Sequence, residues 1–146
     1  MNPLVPPSAP VGSVVLDTNI VLDLLVFGDA AAQPVKQGLA SGSLRWLATA
    51  AMREELARVL AYPKLAPRVA FHRGSAEAVL RDFDRHVVLV EEAPKASLTC
   101  GDPDDQKFID LAVAHRCPLV SKDYEVLRMK KRLAQLDVLA VPQWEG

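Results

Sequence analysis

The fold class this sequence predicts is α/β: a mainly parallel sheet covered on both faces by helices. Three observations predict it. Short apolar runs alternate with longer segments of helical periodicity along the chain, the pattern of strand–helix–strand units. The helical segments open on capping residues, at Asp17-Thr18-Asn19, Thr49 and Asp102-Pro103. Acidic residues also stand where strands end, the place from which an α/β sheet meets its ligands.

Residues 1–12 are Pro-rich and are expected to form a flexible leader to a single domain over residues 13–146. Residues 13–16 form a first strand, and the apolar run 20–27 a first helix that Gly28-Asp29 breaks. A second helix is expected over 30–39, stopped by Ser41-Gly42-Ser43, and a buried strand over 44–48. Thr49 caps a third helix to about Tyr62, with Met52, Leu56, Val59 and Leu60 as its apolar stripe. A fourth helix spans about 75–86, and the β-branched run 86–90 is a strand. A loop then leads through Pro94 to Cys100. Asp102-Pro103 opens a helix to His115, with Asp102 as its N-cap. Residues 118–121 are a strand, 124–136 a basic and broken helical stretch, and 138–141 a last strand before Pro142.

Composition narrows the function. The chain has 146 residues and is 50% hydrophobic, enough for one domain with its own core. Aromatics are few, so Ala, Val and Leu must build that core. The net charge of −1 argues against a protein held to nucleic acid mainly by a broad basic surface. Cys100 and Cys117 show no zinc-type spacing and read as free thiols in a reducing compartment. With no signal peptide evident and no apolar run long enough for a bilayer, the expected location is the cytoplasm.

Four acids carry the chemistry. Asp17 and Asp123 leave strand ends; Asp105 heads the buried stripe of its helix with Phe108, Ile109 and Ala112; Glu55 sits at the edge of the third helix's stripe. Glu54 falls almost opposite that stripe and has Arg58 four residues on, a surface pair. Carboxylates sharing one cleft repel unless a positive charge neutralises them. Hard divalent cations with oxygen ligands, Mg²⁺ or Mn²⁺, are the usual solution. A strand-end Asp also opens haloacid-dehalogenase-type phosphatases, but those need a second Asp where Asn19 stands. His72, His86 and His115 lie outside the motifs and read as structural.

Residues 15–19 (Val-Leu-Asp-Thr-Asn), Glu55-Leu56 with Val59-Leu60, 102–108 (Asp-Pro-Asp-Asp-Gln-Lys-Phe) and Ser121-Lys122-Asp123 together resemble the PIN-domain signature. The branch most similar is that of toxin components of toxin–antitoxin systems, relatives of VapC. The resemblance covers residues 14 to about 142. It implies a three-layer α/β/α sandwich, single-strand ribonuclease activity, and Mg²⁺ or Mn²⁺ held by Asp17, Glu55, Asp105 and Asp123. It further implies a cognate antitoxin as partner, and family members commonly form homodimers. Asn19 and Ser121 would orient the site, Ser121 standing where the family usually has Thr. Two ions roughly 3.5–4 Å apart would leave a 5′-phosphate and a 3′-hydroxyl. Lys122, Lys130 and Lys131 are candidates for binding the RNA backbone. The alternatives are a metal-dependent phosphatase or DNA nuclease, and a PIN scaffold that binds RNA or protein without turnover.

Overall fold

The computed structural model describes residues 12–145. The leader expected over residues 1–12 lies, apart from Gly12, outside the described residues. Five strands form one sheet: β1 (Gly12–Leu16), β2 (Leu44–Ala48), β3 (Val87–Leu89), β4 (Leu119–Val120) and β5 (Ala140–Val141). They lie in the order β3-β2-β1-β4-β5, and every pairing is parallel. Each parallel neighbour needs a crossover, and helices supply it, which gives the α/β/α layering that the sequence pattern predicts. The chain steps one way from β1 to β2 and β3, then crosses to β4 on the other side. The crevice outside the carboxyl ends of β1 and β4 is therefore the switch point of the sheet.

Eight α-helices cover the sheet among the described residues. They are α1 (Thr18–Leu22), α2 (Gln33–Ser41), α3 (Ala50–Leu60), α4 (Ala66–Arg73), α5 (Ala76–His86), α6 (Gln106–His115), α7 (Tyr124–Leu127) and α8 (Lys130–Ala134). Side-chain caps start several of them. Thr49 accepts from the Met52 N–H of α3 at 3.4 Å, and Ser75 from the Ala78 N–H of α5 at 3.1 Å.

The core centres on β1, with Val14 and Val15 fully buried and register-paired to β2 and β4. Met52, Leu56 and Leu60 bury the inner face of α3, while Phe108, Ile109, Leu111 and Ala112 do the same for α6. Aliphatic residues dominate, as the composition requires. Trp46 and Phe83 add an edge-to-face pair with centroids 5.1 Å apart, a favoured aromatic geometry.

Several boundaries differ from the sequence reading, each for a physical reason. The run 20–27 is not one α-helix: α1 ends at Leu22 and Asp23–Phe27 continues as a π-helical turn. That turn closes at Gly28, whose φ of 59° lies in the left-handed region glycine adopts freely. A 3-10 turn at Ala30–Ala32 precedes α2, which runs on to Ser41. Helix α4 has no counterpart in the sequence reading. Only Val69 of α4 is buried, so it carries no apolar stripe, although Pro67 sits in its first turn. The basic stretch breaks at Arg128-Met129, where Met129 turns into the core between α7 and α8. No helix among the described residues is long and apolar enough to cross a membrane.

Candidate metal centre and cleft

Asp17 follows β1 directly, and its main-chain N–H donates to the Val120 carbonyl of β4 at 3.0 Å. That bond fixes it across the switch point. It is 3% exposed and both carboxylate oxygens are engaged. Oδ1 accepts from the Asn19 N–H at 2.7 Å, capping α1, and Oδ2 accepts from the Ser121 hydroxyl at 2.5 Å. Ser121 is fully buried past the end of β4, and its Oγ also accepts from the Asp123 N–H at 3.0 Å. One hydroxyl thus ties the two strand-end aspartates into a unit. Asn19 contributes through its main chain; its side chain lines the cleft and is exposed.

Asp102 and Asp105 arrive on a single 3-10 turn, Pro103–Asp105, that leads into α6. Asp102 caps this turn by accepting from the Asp104 N–H at 2.9 Å. Residues three apart share a face of such a turn, so its carboxylate also stands beside Asp105. Gly101 lets the loop come close to α7: a Cβ there would lie 2.0 Å from the Glu125 carboxylate. Asp123 caps α7 through the Glu125 N–H at 2.8 Å. As a result Asp102, Asp105 and Asp123 each offer an oxygen within 4.8 Å of the others, a group compact enough to hold one cation.

Asp105 is the anomalous member. It is only 7% exposed, and its Oδ2 is buried with no hydrogen-bond donor. Burial pushes its carboxyl up to about 8, with further upward pressure from a hydrogen bond to Asp123 and from the charges of Asp123, Asp17 and Asp102. Burial also raises Asp17, outweighing the lowering effect of the Ser121 and Asn19 hydrogen bonds.

Glu55 faces the same cleft from α3, but its oxygens are already taken. Oε1 receives the Lys107 ammonium at 2.6 Å, and Oε2 receives the Thr18 hydroxyl. Glu54 is exposed on the opposite side, and the pair expected with Arg58 does not form. Arg58 instead lines the cleft, an open volume of about 610 Å³ bounded also by Asp17, Asn19, Glu55, Lys64 and Asp105. A second cavity of about 380 Å³ beside the π-helical turn has no acidic group of this kind; its Arg73 pairs with Asp82 at 2.6 Å.

The lysines singled out in the sequence are all exposed. Lys122 pairs with Asp23, and Lys130 and Lys131 open α8. The sequence assigns Asp102 only a capping role, and Thr18 and Lys107, though they stand within the motifs, no contact with Glu55. The i, i+3 spacing of Asp102 and Asp105 was the signal for the first. Nothing local marks the others, because Thr18, Glu55 and Lys107 meet only through the tertiary fold.

Comparison with known proteins follows the same lines. The chain is similar in fold to one in the crystal structure of VapBC2 from Rickettsia felis bound to a DNA fragment from their promoter. The match has a TM-score of 0.62 at 16% identity and covers 91% of this chain and 99% of that one. No curated protein matches it. The sequence model of the PIN domain matches residues 13–125, a span that contains β1 to β4 and every carboxylate of the cleft. By that match, over most of its length, the chain belongs to the PIN domain family.

Proposed function

We propose that this chain is a metal-dependent endoribonuclease that hydrolyses phosphodiester bonds of single-stranded RNA with Mg²⁺ or Mn²⁺. It would act in the cytoplasm as the toxin of a toxin–antitoxin pair. The observation that carries this reading is the Asp105 Oδ2 atom, buried without a donor and grouped with Asp102 and Asp123. A buried, unpaired carboxylate oxygen is costly, and a cation removes that cost. The donor set is all oxygen, with no His or Cys in the group, which suits a hard ion. Such an ion, when bound, supplies positive charge to the scissile phosphate and to the attacking water.

The chain's own residues prepare that site. Asp102, Asp105 and Asp123 would hold the ion. Asp17 faces the same cleft, turned to one orientation by the Ser121 hydroxyl and the Asn19 N–H. Ser121 also fixes the main chain at Asp123, so a single buried hydroxyl sets the separation of two acids. Arg58 and Lys64 line the open side of the cleft, where cations can receive RNA phosphates. Tyr62, largely exposed beside them, offers a face on which a base can stack.

The fold likeness to a chain from a two-protein complex supports an antitoxin as this chain's partner. A homodimer is part of the same reading.

The test is direct. Purified protein should cleave single-stranded RNA with Mg²⁺ or Mn²⁺, leave 5′-phosphate ends, and stop in EDTA. Full cleavage in EDTA, or a preference for DNA or small phosphoesters, would contradict the reading.

A further inference from the structure

We propose that the Lys107 ammonium is a built-in cation at the Glu55 end of the cleft, so that the site takes one divalent ion and not two. The inference rests on the metal-dependent reading above and specifies its stoichiometry.

Lys107 is held from several sides. Its Nζ lies 2.6 Å from Glu55 Oε1 and 2.6 Å from the Asp104 carbonyl, and 5.0 Å from the Phe108 ring centroid. The Lys107 and Glu55 side chains are only 24% and 13% exposed, so water screens the pair weakly. The Thr18 hydroxyl takes the second Glu55 oxygen. An ion bound through Glu55 would have to strip away both donors. It would also sit beside a fixed ammonium, and like charges at that range repel strongly in a partly buried site.

The other end of the cleft is the reverse case. Asp105 Oδ2 has no donor, and Lys107, two residues further along the chain, is turned to Glu55 and not back to it. The chain thus neutralises one end itself and leaves the other for an ion. Lys107 is a positioning residue in this account, because it acts through Glu55 and through the charge it adds to the cleft.

Calorimetric titration of the full chain with Mn²⁺ tests this without reference to turnover. Wild type and Lys107→Arg should each bind one ion per chain. Lys107→Gln frees Glu55 and should raise the count to two, with circular dichroism confirming that the variant is folded. Two ions in wild type would overturn the proposal and leave the metal-dependent reading standing. One ion in folded Lys107→Gln would overturn it as well. No ion in wild type would take down both.

Should Lys107→Gln fail to fold, Glu55→Gln gives the answer. It should leave the Mn²⁺ affinity of wild type within about twofold, whereas loss of a true ligand or its direct support costs about tenfold or more. A loss of about tenfold from Glu55→Gln would place Glu55 among the ligands and overturn the proposal.

Discussion

At one end of the cleft Glu55 has a donor for each oxygen, Thr18 for one and Lys107 for the other; at the other end Asp105 keeps a buried oxygen with none. Both ends are acidic, both are largely shielded from water, and both face the crevice at the carboxyl ends of the central strands. The difference lies in what the fold supplies. At Glu55 an ammonium from α6 completes the site, so the acid contributes to the fold by itself. At Asp105 the neighbours are Asp102 and Asp123, which add negative charge and no proton. The fold thus satisfies one carboxylate of the cleft and leaves an oxygen of another without a donor.

The largest expected effect comes from replacing that oxygen. Asp105→Asn replaces an orphaned acceptor with an amide that can donate to Asp123. RNA cleavage should fall by about 100-fold or more, while the metal-free protein gains on the order of 1–3 kcal/mol near pH 8. Denaturant unfolding beside a cleavage assay would show both changes; a stability loss would mean that Oδ2 has a partner in solution.

The pH dependence follows with a definite sign. In the fold the Asp105 carboxyl keeps its proton up to about 8, whereas the unfolded chain releases it near the ordinary 3.8. Between those values the folded state binds more protons, so stability falls as pH rises across that window and levels off above it. Below the unfolded value the two states are equally protonated and the full contribution is present. Thermal unfolding without metal should therefore show a lower Tm at about pH 8 than at about pH 5, and Mg²⁺ should recover most of the difference. A metal-free Tm that rises over this range would assign the cluster a different source of charge.

Ser121→Ala is expected to be smaller. It removes the hydroxyl that joins Asp17 to the Asp123 main chain, at a cost of about 1 kcal/mol in stability. Groups that orient ligands typically matter by about 10–100-fold, and RNA cleavage should drop within that range. Ser121→Thr keeps the hydroxyl and separates its loss from general disruption of this buried position.

The extent to which these features could be read from the sequence divides along physical lines. Periodicity and caps marked all five strands and most helices, because apolar spacing records which face is buried. Helix α4 escaped, since only Val69 of it reaches the core. The π-helical turn escaped too, because residues 20–27 are apolar whichever ladder closes them. Strand ends pointed to Asp17 and Asp123, and stripe position placed Glu55, not Glu54, on the cleft side of α3. The state of each acid was beyond reach. Lys107 lies 52 residues from Glu55 in the chain, and Thr18 lies 37 away. Charge is as uneven a guide: the basic segment leading into α8 is conspicuous in sequence, whereas isolated Arg58 and Lys64, which border the cleft, are not.

That last contrast gives the smallest effect. If Arg58 and Lys64 meet RNA phosphates, replacing both with Ala should reduce the salt slope of binding. The reduction should be roughly 0.7 for each single-strand phosphate that is no longer neutralised. Lys130→Ala with Lys131→Ala should leave the slope unchanged. A slope that responds only to the second pair would move the RNA path onto α8.

The most direct measurement is anomalous scattering from crystals grown with Mn²⁺. The account predicts one strong peak enclosed by Asp102, Asp105 and Asp123, with the Lys107–Glu55 pair intact beside it. A peak on Glu55 with Lys107 displaced, or no peak among the three aspartates, would contradict it.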